Sequence, residues 1–314
     1  MGSVICPGEA LIDFICTDKG MSLVDSLNFI KKPGGAPANV AVAIQKMGAK
    51  SYFLGSISTD AFGQFLMQTL RSYQIDCSFV KYTDIPTTLA YVSLMEDGDR
   101  DFYFVRGADE NYVLDSNTLN AIHDINVAHF GSATAFLGGN LQKSYYDILD
   151  YAVKSNIVIS FDPNYRQLLF RDDAQKEIFI KHSMHFIEKS HIVKVSEEEA
   201  CMLADTKDID VAAHLLLSKG AKFLIVSQGK KGATLYNADK KELIPSVPVK
   251  MVDATGAGDA FIGCIIAQVA NNCSEVSSLT FEKLKEFISL ANKVGALTVQ
   301  RYGGLEAVPY LKDL

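Results

Sequence analysis

Short apolar runs and longer amphipathic stretches alternate along most of this chain. The apolar runs are rich in β-branched residues and several end in Gly, Ser, Asp or Asn, which is typical of buried strands. They lie at 51–58, 127–132, 157–164, 191–196 and 222–229. Apolar positions at helical spacing predict helices over 36–47, 60–73, 139–155, 172–188, 208–219, 256–270 and 281–300. This order predicts an α/β fold with a doubly wound, mostly parallel sheet flanked by helices.

Two segments, 11–32 and 78–113, depart from this alternation of strands and helices and look like antiparallel strands. The second contains LAYVSLM and DFYFV on either side of Asp97-Gly98, a pattern that predicts a hairpin. We expect these insertions to form a small β-sheet lid. The rest would form the α/β core, made of residues 1–10, 33–77 and 114–314. Ligands of open α/β sheets bind beyond the carboxyl ends of the strands, so the cleft between core and lid is the predicted site.

The composition of the 314 residues is that of an ordinary globular protein, with 48% hydrophobic and 21% charged residues. The net charge of −7 argues against a dedicated nucleic-acid binder, which relies on Lys and Arg contacts with phosphates. The six cysteines lack C-x-x-C or metal-type spacing, which indicates buried thiols in a reducing compartment. No segment approaches the roughly 20 apolar residues that span a bilayer, and no signal peptide is expected. These features predict a cytoplasmic protein without membrane or nucleic-acid partners.

The stretch MVDATGAGDAFIG, residues 251–263, places small residues and an acid directly before an apolar helical run. The backbone N–H groups of Gly256, Ala257 and Gly258 would lie at the start of that helix, where free donors and the helix dipole favour a bound phosphate. Asp259 would stand beside the phosphate, where a carboxylate suits a base that accepts the proton of an attacking hydroxyl. On this stretch alone, an acid that only complements the helix dipole is an equally good interpretation.

Other well-known nucleotide motifs are missing from the sequence. It contains no G-x-x-x-x-G-K-[ST] loop, no protein-kinase set and no G-x-G-x-x-G after the N-terminal strand, which runs into PGEALIDF. A nucleotide-dependent oxidoreductase is therefore disfavoured. His182 and His185 form an H-x-x-H pair without a suitably spaced acidic ligand, so surface or packing histidines are favoured over a metal pair.

A second stretch, KKPGGAPANVAVAIQKMG at 31–48, sets Gly34-Gly35 before a helix with Asn39 in its first turn. Two glycines let a polyol approach the backbone closely, and the Asn39 amide can both donate to and accept from sugar hydroxyls. The alternative is an ordinary helix start with Pro37 near its first position.

Polar residues also follow two predicted strands, within FDPNYR at 161–166 and KVSEEEA at 194–200. They are Asp162, Asn164, Arg166, Lys194, Glu197 and Glu198. Their position at one edge of the sheet suggests ligand binding, although some would serve as helix caps and first-turn acids.

Together these stretches resemble the ribokinase-like (PfkB-type) carbohydrate kinases, and among them most closely the fructokinases. DATGAGDAF at 253–261 is similar to the family's D-T-x-G-A-G-D signature, and GGAPANVAVAIQKMGAKSYFLGSISTDAFG at 34–63 is similar to its N-terminal signature. The resemblance covers nearly the whole chain. It implies an ATP- and Mg²⁺-dependent kinase that phosphorylates the 6-hydroxyl of fructose. Asp259 would be the catalytic base, and the backbone of 256–258 would be the anion hole.

The same resemblance implies a set of sugar contacts. They are Asp13, Gly34, Gly35, Asn39 and Arg166. In the lid, Arg100 and Phe102 lie where fructokinase-like members close over the sugar, with Arg106 nearby. For Arg106, a solvent-facing position on the hairpin is an equally good interpretation. Kinases for 2-keto-3-deoxygluconate, ribose or aminoimidazole riboside share the signatures and differ mainly in this lid, so they remain alternatives.

On the nucleotide side, the resemblance implies ATP contacts from Lys194, Ser227, Gly229, Gly256, Gly258 and Asn292. Glu197 matches the acid of an N-x-x-E motif that organises Mg²⁺ through water. Lys194 replaces the asparagine of that motif and cannot accept a hydrogen bond, but it can contact ATP phosphates as a point charge. Asp253 and Thr255, with carbonyls near Gly303-Gly304, match a potassium (K⁺) site found in parts of the family.

The resemblance further implies a sugar and ATP as small-molecule partners, and a lid that could act as the clasp of a homodimer. A different class of function is a sugar or nucleotide sensor that keeps the fold without turnover. It is disfavoured because a sensor need not retain Asp259 or the intact 256–258 turn.

Overall fold

The strands and helices follow one another in nearly the predicted order. The computed structural model describes residues 1–18, 20–95, 100–121, 124–170, 172–273 and 275–314. Its strands are β1 Ser3–Pro7, β2 Leu11–Cys16, β3 Phe29–Gly34, β4 Lys50–Leu54, β5 Ser56–Ser58, β6 Lys81–Thr83, β7 Leu89–Leu94, β8 Arg100–Val105, β9 Val127–Phe130, β10 Val158–Phe161, β11 Ile192–Ser196, β12 Phe223–Ser227, β13 Gly232–Tyr236 and β14 Lys241–Pro245. Its α helices are α1 Ala36–Lys46, α2 Ala61–Ser72, α3 Ser116–Ala121, α4 Gly139–Lys154, α5 Asp173–Lys189, α6 Glu197–Ala204, α7 Ile209–Ser218, α8 Ala257–Asn272, α9 Phe281–Thr298 and α10 Gly304–Ala307.

The main sheet has eight strands in the order β14-β13-β12-β11-β10-β9-β1-β4. The strands from β12 to β4 pair in parallel, and the hairpin β13–β14 adds two antiparallel strands at one edge. The predicted doubly wound, mostly parallel sheet is confirmed. The hydrophobic pattern made no prediction for β13 and β14.

Side chains alternate across the parallel strands, so each face of the sheet carries its own apolar layer. Val158 of β10 belongs to the layer that packs with α1, α8 and α9, whereas its neighbour Ile159 belongs to the layer of α4 to α7. Both layers are buried under helices, as the alternating pattern predicted. The same alternation directs the polar residues His129, Ser160 and Lys194 to the α8 side of the sheet.

Two local differences from the predicted elements have physical reasons. The predicted strand 51–58 divides into β4 and β5 at Gly55, where a Cβ would lie 2.4 Å from the carbonyl oxygen of Gly8. Helix α6 follows β11 directly, because Ser196 and Glu199 form a reciprocal capping box at its start. The acidic run there had suggested caps and first-turn acids without a complete helix.

A separate small sheet has the strand order β3-β2-β7-β8. The pairs β2–β3 and β7–β8 are antiparallel, as expected, but β2 pairs with β7 in parallel. That contact joins the two insertions, and alternation alone does not specify which strands meet. Strand β6 pairs with β5 outside this sheet. The predicted turn at Asp97-Gly98 lies outside the described residues, and the exact division into core and lid remains a prediction.

Two further features concern the cysteine side chains and the apolar content of the helices. All six cysteines fall within the described ranges and are free thiols, but only Cys6, Cys264 and Cys273 are buried as expected, whereas Cys16, Cys77 and Cys201 are partly exposed. Within those ranges no helix combines the length and apolar content needed to cross a membrane.

Candidate active site

Helix α8 begins in the glycine-rich turn at 256–258. Gly256 caps the helix with a φ of 74°, in the left-handed region that favours glycine. A Cβ on Gly256 would also lie 2.8 Å from the Cα of Gly304, so the C-terminal segment packs directly against this turn. N–H groups in the first turn of a helix lack partners within the helix, and together with the helix dipole they suit an anion.

Asp259, in the first turn of α8, meets Asn39 from the first turn of α1. Asn39 Nδ2 donates a 2.7 Å hydrogen bond to Asp259 Oδ2, across 220 positions of sequence. Burial raises the pKa of the Asp259 carboxyl above its ordinary value. The hydrogen bond from Asn39 and the charges of Arg166 and Lys194 oppose this rise, while the charge of Asp162 adds to it. The two sequence motifs therefore form one charged centre.

Asp13, on β2 of the small sheet, interacts with the same centre. Burial raises the pKa of its carboxyl to about 6, the charge of Arg166 lowers it, and the charge of Asp259 raises it. A Cβ on Gly34 would lie 2.1 Å from Asp13 Oδ2, so a side chain at position 34 would displace this carboxylate. The structure thus brings together Asp13, Gly34, Arg166 and Asp259, which the sequence had assigned to the sugar and to catalysis.

Glu9 was not singled out from the sequence, yet its carboxylate contacts the segment that carries the Gly34-Gly35 turn. It accepts a hydrogen bond from the Ala36 N–H at 3.3 Å and another from the Ser132 hydroxyl at 2.5 Å. Gly35 has a φ of 99°, and a Cβ there would lie 2.5 Å from the Glu9 carbonyl oxygen. No local pattern identifies such a residue, because its partners come from distant segments.

Lys194 and Asp162 form a buried ion pair at the carboxyl ends of β11 and β10. Lys194 Nζ lies 2.9 Å from Asp162 Oδ2 and 3.6 Å from the position of a Cβ on Gly258. Burial lowers the pKa of Lys194, but the charges of Asp162 and Glu199 outweigh it and hold the pKa above its ordinary value. Lys194 is therefore a positive charge beside the start of α8.

Glu197, Ser227 and Gly229 lie at the neighbouring ends of β11 and β12. Glu197 Oε1 accepts a 2.8 Å hydrogen bond from Gln228 Nε2, and the Ser227 hydroxyl donates to the Val195 carbonyl at 3.2 Å. Gly229 has a φ of 54°, with open space around the position of a Cβ. These residues occupy the same edge of the sheet as Lys194.

Asn292, an expected ATP contact, is buried in α9. Its Nδ2 donates to the carbonyl oxygens of Ile244 and Pro245 at 2.9 and 3.2 Å. The amide nitrogen therefore connects α9 to the end of β14, and a role toward adenine stays a prediction.

Asp253, Thr255 and Gly303 form one loop cluster next to the Gly256 turn. Asp253 Oδ1 accepts from the N–H and the hydroxyl of Thr255 at 2.9 and 2.7 Å, and Oδ2 accepts from the Gly303 N–H at 3.1 Å. Carboxylate, hydroxyl and carbonyl oxygens are the donors that hard cations prefer. The residues of this cluster fit such an ion.

The small sheet directs aromatic side chains to the face that carries Asp13. Cross-strand register places Phe102 and Phe104 of β8 on that face. Their rings stack with centroids 6.2 Å apart, and both are partly exposed. Arg100 begins β8, but its side chain lies outside the described part of the chain.

Arg106, directly after β8, is largely buried rather than solvent-facing. Its guanidinium donates to the carbonyl oxygens of Leu137 and Gly138 at 2.9 and 3.0 Å and pairs with Asp109 at 3.3 Å. The side chain therefore fastens the end of the small sheet to the loop after β9. Neither interpretation from the sequence anticipated this contact.

The His182 and His185 pair belongs to an aromatic cluster. The His182 ring stacks on Phe136 with centroids 5.1 Å apart, and its Nδ1 lies 2.6 Å from the Tyr146 hydroxyl. The His185 ring stacks on Tyr146 at 5.2 Å. Both histidine rings therefore take part in aromatic packing. The described residues contain no group of His, Cys, Asp and Glu arranged to hold a metal ion.

The chain is similar over nearly its whole length to carbohydrate kinases. Residues 1–310 match the family model described as pfkB family carbohydrate kinase. Probable fructokinase-2 from Arabidopsis thaliana is 34% identical over 314 residues, which cover 98% of this chain and 93% of that protein. The crystal structure of fructokinase with bound ATP from Xylella fastidiosa has a TM-score of 0.86 at 27% identity, over 99% of this chain and 96% of that one. A fructokinase double mutant from Vibrio cholerae O395, with fructose, ADP and potassium ion bound, has a TM-score of 0.82 at 27% identity, over 98% and 96% of the two chains.

Proposed function

We propose that this chain, which belongs to the pfkB family of carbohydrate kinases, is an ATP-dependent fructokinase. It transfers the γ-phosphoryl group of ATP to the 6-hydroxyl of D-fructose, and the products are fructose 6-phosphate and ADP. The observation that carries the proposal is the meeting of Asp13, Asn39 and Asp259 beside the start of α8. The fructokinases among the similar proteins support fructose as the sugar.

Asp259 is the base of this reaction. It accepts the proton of the 6-hydroxyl as that oxygen bonds to the γ-phosphorus, and the bond from phosphorus to the bridging oxygen of ADP breaks. Burial raises the pKa of Asp259, which makes its carboxylate a better proton acceptor. The hydrogen bond from Asn39 orients the carboxylate for an in-line attack.

The backbone N–H groups of Gly256, Ala257 and Gly258 form the anion hole. They stabilise the negative charge on the transferring phosphoryl group, and the dipole of α8 adds to their effect. Lys194, whose ammonium lies near Gly258, contacts the ATP phosphates as a point charge. Its ion pair with Asp162 keeps it protonated and in place.

The sugar lies between the small sheet and the starts of α1 and α8. The Asp13 carboxylate accepts hydrogen bonds from sugar hydroxyls, and the backbone at Gly34-Gly35 lets the sugar approach closely. Arg166, whose charge acts on both Asp13 and Asp259, contacts the sugar near the phosphates. Phe102 covers the sugar from the lid, and the same role is proposed for Arg100 from the sequence resemblance alone.

The nucleotide and ions complete the site. Ser227, Gly229 and Asn292 would lie on the ATP side, and Glu197 would help to hold Mg²⁺. Bound there, Mg²⁺ would neutralise charge on the transferring phosphates. Asp253 and Thr255 would hold K⁺ beside the Gly256 turn, a position that the cluster with Gly303 supports.

The small sheet is also the proposed clasp of a homodimer. Ile15, Ile30 and Leu94 lie on the same face of this sheet as Asp13 and Phe102 and are 40%, 51% and 60% exposed. Exposed apolar surface of this kind suits a second copy of the chain, and a monomer in sedimentation experiments would remove the proposal.

A cytoplasmic location is proposed from the free cysteines alone.

The experiment that tests the function is ADP release from Mg²⁺-ATP with a panel of sugars. The panel contains fructose, ribose, 2-keto-3-deoxygluconate, aminoimidazole riboside and glucose, each in K⁺ and in Na⁺ buffer. We expect fructose to have the highest kcat/KM, with phosphate found on O6 by NMR and a higher rate in K⁺.

Each other outcome corrects one part of the proposal. Preference for another sugar would keep Asp259 and the anion hole but overturn the roles of Arg100 and Phe102. Equal rates in the two buffers would remove the K⁺ site. Folded protein without turnover of any sugar would favour a sensor.

A further inference from the structure

Glu9 lies between β1 and β2 and is 1% exposed. Its Oε1 accepts hydrogen bonds from the N–H groups of Ala36 and Ala133, each at 3.3 Å. Its Oε2 accepts from the hydroxyls of Ser132 at 2.5 Å and Thr134 at 3.3 Å. The carboxylate, which has almost no contact with solvent, is thus satisfied by side chains and backbone of the protein.

The donors to Glu9 come from two segments that are remote in sequence. Ala36 is the first residue of α1, whereas Ser132, Ala133 and Thr134 follow β9. A Cβ on Gly8 would lie 2.4 Å from Pro37 Cγ and 2.8 Å from Ser132 Cβ, so the segments are already in van der Waals contact. The Glu9 carboxylate therefore forms hydrogen bonds across a closely packed junction of three segments.

The start of α1 carries the groups assigned above to the sugar. The Gly34-Gly35 turn immediately precedes Ala36, and Asn39 lies one turn into the helix, where it contacts Asp259. A shift of the Ala36 N–H would therefore displace both the turn and Asn39 relative to the catalytic carboxylate.

A carboxylate is a costly residue at this position. Burial raises the pKa of Glu9 to about 7, the Ser132 hydrogen bond lowers it, and the charge of Asp109 raises it. An apolar side chain of similar volume fills a buried space at a lower desolvation cost. What the apolar side chain lacks is the ability to accept hydrogen bonds from two segments at once.

We propose that Glu9 is a positioning residue for the sugar site, which holds the Gly34-Gly35 turn and Asn39 in register with Asp13 and Asp259. The kinetic part of its test rests on the proposed kinase function but not on fructose being the sugar. Each measurement uses whichever sugar the wild-type protein phosphorylates best.

Kinetics of two variants at this position test the proposal. Glu9→Ala removes all four acceptor contacts, and we expect the KM for sugar to rise at least roughly tenfold while the KM for ATP changes by less than about twofold. Glu9→Gln keeps an oxygen that can accept from Ala36 and Ala133, and it should return the sugar KM to within about threefold of wild type.

The control is Leu149→Ala, a large-to-small change in the layer on the other side of the sheet. It should lower Tm without changing the KM for sugar relative to the KM for ATP. If Glu9→Ala does not fold, Thr134→Val replaces it, since this change removes one hydroxyl donor. We expect Thr134→Val to raise the sugar KM by about threefold with little change in the ATP KM.

Hydrogen exchange without ligands reports the same positioning independently of turnover. The amides of residues 35–40 should exchange faster in Glu9→Ala or Thr134→Val than in Leu149→Ala. Wild-type protein that phosphorylates no sugar would remove the proposed function, and this exchange measurement would still decide the role of Glu9. Equal rises of both KM values, or unchanged exchange over residues 35–40, would overturn the positioning role.

Discussion

The Asp259 carboxylate combines burial, which raises its pKa, with a 2.7 Å hydrogen bond from Asn39 that favours its charged form. The charges of Arg166 and Lys194 also favour the ionised carboxylate. A base needs both properties, since it must be ionised before the reaction and must accept a proton during it. The proposal that Asp259 is this base leads to a prediction at the scale of a single residue.

Asp259→Asn is expected to lower kcat by at least roughly 10²-fold, because the amide cannot accept the proton of the sugar hydroxyl. The fold should be retained, since the side chains have nearly the same size. Steady-state kinetics measure the loss, and calorimetric titration with ATP should give a Kd near that of wild type. Retained turnover in a folded variant would remove the assignment of Asp259 as base.

At the scale of elements, the end of α1 holds the C-terminal segment that packs against the anion-hole turn. Lys46 is buried, and its Nζ donates to the carbonyl oxygens of Leu305 and Val308 at 2.8 and 2.9 Å. Burial lowers the pKa of Lys46 to about 8, so it remains mostly charged at neutral pH. The segment held in this way contains Gly304, which packs against Gly256.

Lys46→Met is expected to reduce the free energy of unfolding by about 1–3 kcal/mol, because two buried carbonyl oxygens lose their charged donor. Urea unfolding measures this cost, and hydrogen exchange should increase over residues 303–308 before the rest of the chain. Lys240→Met is the matched control, since Lys240 pairs with Glu282 at the surface. Exposed ion pairs contribute at most about 1 kcal/mol. Equal effects of the two variants would contradict the anchoring role of Lys46.

At the scale of the whole molecule, buried titratable groups act on stability in opposite directions. Burial raises the pKa of Glu9 to about 7 and lowers that of His129 to about 4. Stability contributed by Glu9 is fully present below its unfolded pKa and is lost as the pH rises through the folded value. Stability linked to His129 has the reverse dependence, since the unfolded state takes up the proton first as the pH falls.

The variant Glu9→Gln isolates the pH-dependent stability that Glu9 contributes, because His129 is present in both the variant and the wild type. Between pH values of about 4.5 and 7, its free energy of unfolding should rise relative to wild type by up to about 1.4 kcal/mol per pH unit, because only the wild-type side chain titrates. Urea unfolding of both proteins across this range measures the difference. Glu286→Gln, at an exposed position of α9, should leave the difference near zero. A parallel pH dependence of wild type and Glu9→Gln would show that the Glu9 pKa is not raised.

The order of the elements, the fold class and the family could be predicted from the sequence. The local signals are the periodicity of strands and helices, the glycines at the turn of α8 and Pro37 at the start of α1. Such signals depend only on neighbouring residues, so they can be read without knowledge of distant contacts. The two signature stretches carried the resemblance to carbohydrate kinases, which the family match confirms. The roles of individual site residues remain predictions.

Only the tertiary structure decided which residues meet. The pairing of β2 with β7, the contact of Asn39 with Asp259 and the junction around Glu9 join segments far apart along the chain. It also showed that the amide nitrogen of Asn292 and the guanidinium of Arg106 donate to protein carbonyl oxygens. Periodicity states which face of an element is buried but not what it is buried against. The partners of a polar side chain depend on how the layers of helices and strands pack together. That packing depends on contacts between segments that are distant in the sequence.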